Sequence, residues 1–180
     1  MVSGDSGNGD GTPAPAGLPP PDDAALHRLA LAVGEALLAR RQRVALAESC
    51  TGGWVAKCLT DIAGSSRWFE RGFVTYSNEA KQQSLAVTPE VLDRFGAVSR
   101  QTAEQMARGA LEHSGVDISV AVTGIAGPDG GTPGKPVGLV WFARAERAGR
   151  IGSVEHRFTG SREDIRRAAV ATALLLILSG

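Results

Sequence analysis

Short apolar runs of strand length alternate with helical patterns from residue 22 to the end of this 180-residue chain. Residues 44–47 and 118–122 are compact apolar runs, whereas the segment after Asp22 and Asp23 repeats apolar residues at helical spacing. Chains that alternate in this way form α/β folds, in which helices cover both faces of a sheet. The sequence therefore predicts a three-layer α/β/α sandwich around a mostly parallel or mixed sheet.

The boundaries of several predicted elements carry their own signals. Thr88 followed by Pro89 is typical of a helix start, with threonine as the cap and proline in the first turn. Residues 161–164 resemble a capping box, which predicts the start of the last helix. The predicted strands are residues 44–47, 72–76, 118–122, 137–143 and 154–158, and the predicted helices begin near Asp22, Trp54, Thr88, Ser99 and Ser161.

The first part of the chain differs in composition from the rest. Residues 1–21 consist mainly of Gly, Pro, Ala, Ser and Asp, and such a segment buries too little apolar surface to fold. We expect a disordered Gly/Pro-rich tail over residues 1–21 and one globular domain over residues 22–180.

Composition also argues against several classes of function. The formal net charge is zero and the basic residues form no stripe, so no nucleic-acid partner is expected. The N-terminus has no apolar stretch, and the longest apolar run, residues 173–178, is too short to span a bilayer. A cytoplasmic protein without a membrane partner is therefore expected. Cys50 and Cys58 are eight residues apart and the three histidines are scattered, so neither a metal site nor a cofactor is predicted.

Three predicted strands end in polar, glycine-bearing turns, at Ser49, Tyr76 and Thr123. Ligands of open α/β sheets bind beyond the carboxyl ends of the strands, so these turns form the candidate site. The first turn leads into a helix, whose N-terminal N–H groups attract a phosphate or a developing oxyanion. Either Ser49 or Thr51 faces a ligand at this point, or the hydroxyls only cap the helix.

The second turn supplies a base for a serine nucleophile. A serine hydroxyl reacts poorly until a neighbouring group takes its proton. No histidine lies in a glycine-rich turn or beside a candidate nucleophile, which leaves a neutral Lys81 or the tyrosinate of Tyr76. A short-chain dehydrogenase is not expected, because four residues separate this tyrosine and lysine and no Gly-x-Gly-x-x-Gly follows the first strand.

The third turn, residues 123–131, contains four glycines and one proline. Glycines allow the backbone to approach a ligand closely, so this segment is interpreted as a ligand loop. Asp129 stands in a Pro-Asp-Gly-Gly sequence, where turn formation alone accounts for an aspartate.

Five segments of the chain together carry a family resemblance. They read AESCTGG (47–53), GSSRWFERGFVTYSNEAK (64–81), GAVS (96–99), TGIAGPDGG (123–131) and KPVGLVWFA (135–143), in that order. These segments resemble the CinA C-terminal domain family, and the resemblance extends from about residue 24 to residue 178. The characterised enzymes of this family are nicotinamide-nucleotide amidohydrolases with a three-layer α/β/α fold.

The resemblance implies a reaction and the residues that perform it. Nicotinamide mononucleotide and water would give nicotinate mononucleotide and ammonia, without a metal. Ser49 matches the family nucleophile, and Tyr76 and Lys81 match its tyrosine and lysine. An arginine at the start of the last helix matches Arg162, with Arg166 as the alternative. A homo-oligomer is also expected from the family. The candidate substrate-binding residues are Thr51, Gly52, Gly53, Thr123, Gly124, Ala126 and Arg162.

Residue chemistry and resemblance lead to one mechanistic hypothesis. Ser49 attacks the carboxamide carbon, Lys81 accepts the proton, and Tyr76 relays or orients it. Backbone N–H groups of residues 51–53 or 124–126 hold the oxyanion, and an arginine holds the 5′-phosphate. The alternative is a nucleotide-binding or regulatory module that uses the same loops without turnover.

Overall fold

A computed structural model of the protein describes residues 20–179. Residues 1–19, which make up most of the predicted tail, lie outside the described residues. Within residues 20–179, five strands form a single mixed sheet in the order β2-β1-β3-β4-β5. The strands are β1 (Val44–Glu48), β2 (Phe69–Val74), β3 (Ile118–Gly124), β4 (Leu139–Glu146) and β5 (Ile151–Arg157).

The strand directions explain where a site can form. β1 pairs in parallel with both β2 and β3, whereas β3–β4 and β4–β5 are antiparallel pairs. The carboxyl ends of β1, β2 and β3 therefore meet at one edge of the sheet. The residues that follow these three strands are the ones in which the sequence places its candidate site.

Helices cover both faces of the sheet, and four of them begin at predicted capping positions. Thr88 precedes α4 as predicted, but its side chain makes no capping hydrogen bond. The side chains of Asp22, Ser99 and Ser161 each accept a hydrogen bond from an N–H of the following turn. Ser161 and Asp164 form the predicted capping box. The helices in residues 20–179 are α1 (Asp23–Arg40), α2 (Trp54–Thr60), α3 (Asn78–Leu85), α4 (Pro89–Phe95), α5 (Arg100–Ser114) and α6 (Arg162–Leu178).

Side-chain alternation along the strands produces three layers. Val44 and Leu46 of β1 join the apolar cluster under α1, α2 and α6, whereas Ala47 joins the cluster under α3, α4 and α5. The small side chains on the second face let α5 pack closely on the sheet. This arrangement confirms the predicted α/β/α sandwich and its mixed sheet.

Two predicted boundaries differ from the structure. β2 spans Phe69–Val74 rather than residues 72–76, and it includes the charged pair Glu70 and Arg71. β2 lies at an edge of the sheet and is partly exposed, so charged side chains are tolerated in it. These charges interrupt the apolar run by which a strand is recognised in the sequence. Helix α3 is not predicted, because only two of its eight side chains, Lys81 and Leu85, are buried. No helix within residues 20–179 is long and apolar enough to cross a membrane.

Candidate active site

Ser49 lies directly beyond β1, in the turn that leads to α2, and is almost fully buried. Its N–H donates to the carbonyl oxygen of Val122 over 3.0 Å, and its own carbonyl accepts from the Gly52 N–H over 3.0 Å. These two bonds join the turn to β3 and close it on itself. The Ser49 side chain is thereby held on the face of the sheet that carries α3 and α5.

Glu48 points to the opposite face, and its carboxylate binds the N-terminus of α2. Its oxygens accept hydrogen bonds from the N–H groups of Gly53, Val55 and Ala56, at 3.0, 3.1 and 2.8 Å. A carboxylate at this position satisfies helix donors that have no partner within the helix. This role of Glu48 was not predicted, although an acidic residue between a strand and a helix N-terminus is the sequence signal for it.

These bonds decide which N–H groups of the turn remain available to a ligand. The Gly52 and Gly53 N–H groups, both predicted substrate contacts, donate to Ser49 and Glu48 instead. The N–H groups of Cys50 and Thr51 make no hydrogen bond to another residue of the described chain. Cys50 lines the cleft between these turns, whereas Thr51 is fully buried outside it, so the Cys50 N–H is the donor of this turn that an oxyanion can use.

Lys81 reaches Ser49 from helix α3. Its Nζ lies 3.0 Å from the Oγ of Ser49 and donates to the carbonyl oxygen of Thr75 over 2.7 Å. The side chain is 1% exposed, and no carboxylate within residues 20–179 forms an ion pair with it. Burial disfavours the charged ammonium and lowers the pKa of Lys81 to about 8. The same burial raises the pKa of the Cys50 thiol to about 12, so the neighbouring sulfur stays protonated.

The Tyr76 side chain lies at the mouth of the site rather than beside Ser49. Its side chain is 62% exposed, and its hydroxyl accepts a hydrogen bond from Arg162 Nη2 over 3.1 Å. Within the described residues, the hydroxyl makes no hydrogen bond to Ser49 or Lys81. The Tyr76 carbonyl oxygen instead lies 3.5 Å from Lys81 Nζ, at the limit of hydrogen bonding.

The two candidate arginines have different surroundings. Arg162 donates to the carbonyl oxygen of Gly127 over 2.7 Å and to Tyr76, so it connects the glycine-rich loop with the mouth of the site. Arg166 donates to the carbonyl oxygens of Cys50 and Thr51, at 3.1 and 2.9 Å, and its guanidinium lies 5.0 Å from the Trp54 ring centroid. Arg162 lines the cleft, whereas Arg166 is absent from the lining and holds the turn between β1 and α2 through its carbonyl oxygens.

The glycine-rich loop closes the third side of the site. Thr123 is buried, and its hydroxyl donates to the carbonyl oxygen of Ala97 over 2.8 Å, which connects β3 to the segment before α5. A Cβ on Gly124 would lie 2.8 Å from the carbonyl oxygen of Leu139, so this position accepts only glycine without a shift of β4. The peptide bond between Gly127 and Pro128 is cis.

Together these segments enclose a cleft of about 270 Å³. It brings together Ser49, Tyr76, Lys81, Thr123, Gly124, Ala126 and Arg162 of the predicted site, and excludes Thr51, Gly52 and Gly53 from its lining. The lining is completed by Cys50, Ala97, Val98, Ile125, Gly127, Asp129 and Gly130. Ala97 and Val98 were not predicted as site residues, and their only sequence signal is the family segment at residues 96–99.

Other concave regions lack this chemistry. Two larger cavities, of about 710 and 530 Å³, lie along β4 and β5 and include no residue of the predicted site. Within residues 20–179, no three His, Cys, Asp or Glu side chains are grouped so that they could hold a metal ion.

Comparisons with known proteins agree with one another. A family model described as the CinA C-terminal domain matches residues 26–179. The chain is 55% identical over 152 residues to a nicotinamide-nucleotide amidohydrolase, PncC, of Escherichia coli K12, covering 84% of this chain and 92% of that protein. It is 52% identical over 149 residues to PncC of Enterobacter agglomerans, covering 83% and 91%. The crystal structure of a competence/damage inducible protein from Agrobacterium tumefaciens superposes with a TM-score of 0.85 at 49% identity, covering 88% and 96%.

Proposed function

Because this chain belongs to the CinA C-terminal domain family, we propose that it hydrolyses the carboxamide of nicotinamide mononucleotide to nicotinate mononucleotide and ammonia. The activity for which these relatives are named, nicotinamide-nucleotide amidohydrolase, supports the substrate and the reaction. The observation that carries the proposal is the pair of buried side chains, with Lys81 Nζ 3.0 Å from Ser49 Oγ. A lysine this close to a serine activates it when the amine is neutral.

The first half of the reaction makes an ester and releases ammonia. The neutral Lys81 amine takes the Ser49 hydroxyl proton while Oγ forms a bond to the carboxamide carbon, and the carbonyl oxygen becomes an oxyanion. The N–H of Cys50, which lines the cleft and makes no hydrogen bond to another described residue, stabilises this charge. When the tetrahedral intermediate collapses, the C–N bond breaks and the Lys81 ammonium protonates the departing nitrogen.

The second half reverses these roles with water as the nucleophile. Lys81, neutral again after ammonia leaves, takes a proton from water while the water oxygen attacks the ester carbon. Collapse of the second tetrahedral intermediate breaks the bond to Ser49 Oγ, which regains a proton from Lys81. Nicotinate mononucleotide then leaves, and the enzyme returns to its starting protonation state.

The remaining groups of the cleft hold the substrate. Arg162 carries the positive charge that a 5′-phosphate requires, and it lines the cleft between Tyr76 and the glycine-rich loop. Tyr76 orients the substrate at the mouth, since its hydroxyl contacts Arg162 rather than the reacting pair. Thr123 and Gly124 position the loop against which the ring packs.

The test of this function is the release of ammonia from a panel of amides. Purified protein is incubated with nicotinamide mononucleotide, nicotinamide riboside, nicotinamide and asparagine, and ammonia and the acid product are quantified. The proposal predicts turnover of the mononucleotide with much slower turnover of the other three. A protein that binds the mononucleotide, seen as a thermal shift, yet releases no ammonia from any member would instead be the non-catalytic module.

A further inference from the structure

Asp129 is the only acidic side chain that lines the cleft in the described part of the chain. It lies in the glycine-rich loop, is exposed, and shares the lining with the cationic groups of Arg162 and Lys81. The carboxylate makes no ion pair and accepts no hydrogen bond from any residue between 20 and 179.

The absence of these bonds changes the interpretation of Asp129. An aspartate that serves only to form a turn accepts a hydrogen bond from a backbone N–H close by in sequence. Asp22 and Asp164 show such local bonds at the starts of α1 and α6, where they accept from the N–H groups of Ala25 and Ser161 at 2.7 and 2.8 Å. Asp129 does not, so turn formation fails to explain why a carboxylate faces this cleft.

We propose that Asp129 is a specificity-determining residue that selects the positive charge of an N-substituted pyridinium ring. The inference rests on the proposed function, because nicotinamide carries this charge only when its ring nitrogen is bonded to the ribose. The carboxylate offsets the repulsion that Arg162 exerts on a cationic ring, while Arg162 remains free to bind the phosphate. The charged ring in turn favours the neutral amine of Lys81, which is the form the reaction needs.

The magnitude follows from Coulomb attraction at a partly hydrated site. Water screens the attraction between two unit charges a few ångströms apart at a protein surface, and the exposure of Asp129 means that its attraction for a bound cation is screened in this way. We therefore expect the carboxylate to tighten binding of a pyridinium by about tenfold, which corresponds to about 1.4 kcal/mol.

The test compares two ligands that differ in ring charge. Nicotinamide mononucleotide has a cationic ring, and its dihydro form has a neutral ring with the same carboxamide, ribose and phosphate. Dissociation constants for both are measured by calorimetry in a Ser49→Ala background, where neither ligand is consumed. The background is combined with Asp129→Asn, which removes the charge, and with Asp129→Glu, which retains it.

The expected result is a loss of charge discrimination in the Asn variant alone. Asp129→Asn should weaken binding of the cationic ligand about tenfold and leave the dihydro ligand as tight or tighter, since the carboxylate only repels its phosphate. Asp129→Glu should keep most of the preference. Equal changes for both ligands, or no change for either, would overturn the inference while leaving the proposed function intact. If the protein with Asp129 intact binds no mononucleotide and the parent enzyme releases no ammonia, both proposals fall together.

Discussion

The pH dependence of turnover tests whether the buried lysine is the base. Lys81 must be neutral to accept a proton, and burial lowers its pKa to about 8. At pH 7 about one molecule in ten then carries a neutral amine, against about one in three thousand for a lysine of ordinary pKa. Because the active form is the deprotonated one, activity rises as pH rises and levels off above the folded pKa.

A lysine base and a tyrosinate base predict different rises of kcat/KM with pH. For a base of pKa about 8, kcat/KM should rise about fivefold from pH 7 to 8, about twofold from pH 8 to 9, and then level off. A tyrosinate with a pKa near 10 would instead give about tenfold per unit through pH 9. The assay is chromatographic measurement of nicotinate mononucleotide between pH 7 and 10, with an enzyme-free blank subtracted at each pH.

Two variants assign the inflection to a residue. Lys81→Arg should be inactive at every pH, because guanidinium keeps its proton throughout this range. Tyr76→Phe should keep the inflection near pH 8, because it leaves the lysine in place. A flat profile between pH 7 and 9, or a Lys81→Arg enzyme with near-normal turnover, would refute the assignment of Lys81 as the base.

Three further substitutions test the architecture around the site. Glu48→Ala should lower the free energy of unfolding by about 2–3 kcal/mol in urea titrations, because three N–H donors at the start of α2 lose their acceptor; a loss below about 0.5 kcal/mol would contradict this. Tyr76→Phe should raise KM while kcat changes less than about threefold, whereas a fall of a hundredfold or more in kcat would identify tyrosine as a proton-transfer group. Gly109→Ala should cost at least about 2 kcal/mol, because its Cβ would lie 2.0 Å from the carbonyl oxygen of Leu85, and Gly152→Ala, with nothing within 4 Å, is the matched control.

The fold could be predicted where apolar pattern and capping chemistry agree. β1 and β3 are buried along nearly their whole length, so their apolar runs are continuous and unambiguous. Helices α5 and α6 begin at the predicted serine caps. Helix α3 could not be predicted in the same way, because its sequence is mostly polar and its position depends on contacts with α5.

The sequence predicts which strand ends form the site, but not the distances between the side chains in it. Parallel pairing of β1 with its two neighbours brings Ser49 and Thr123 to one edge, as the strand-end argument requires. The 3.0 Å contact between Ser49 and Lys81 joins residues 32 positions apart. Residue chemistry left Lys81 and Tyr76 as alternative bases, and the distance of each from Ser49 follows only from the fold. Glu48 was missed because its position between a strand and a helix N-terminus was not interpreted as a signal for binding the backbone N–H groups of α2.

The two arginines of α6 show the limit of sequence reasoning on one helix. Arg162 and Arg166 are four residues apart, so both lie on the same side of the helix and have the same chemistry. Because they are one helical turn apart, Arg162 contacts the glycine-rich loop and Arg166 contacts the turn between β1 and α2. The different contacts of the two arginines depend on where the start of α6 lies relative to the sheet, and this position cannot be inferred from the sequence.

The most direct test of the central proposal is the rate of ammonia release from nicotinamide mononucleotide by the Ser49→Ala variant. The matched control is Ser66→Ala, which removes an exposed hydroxyl outside the cleft. The account predicts that Ser49→Ala loses at least about a thousandfold in kcat with an unchanged melting temperature, while Ser66→Ala turns over like the parent. A Ser49→Ala enzyme that retains activity within about tenfold of the parent would contradict the assignment of Ser49 as the nucleophile.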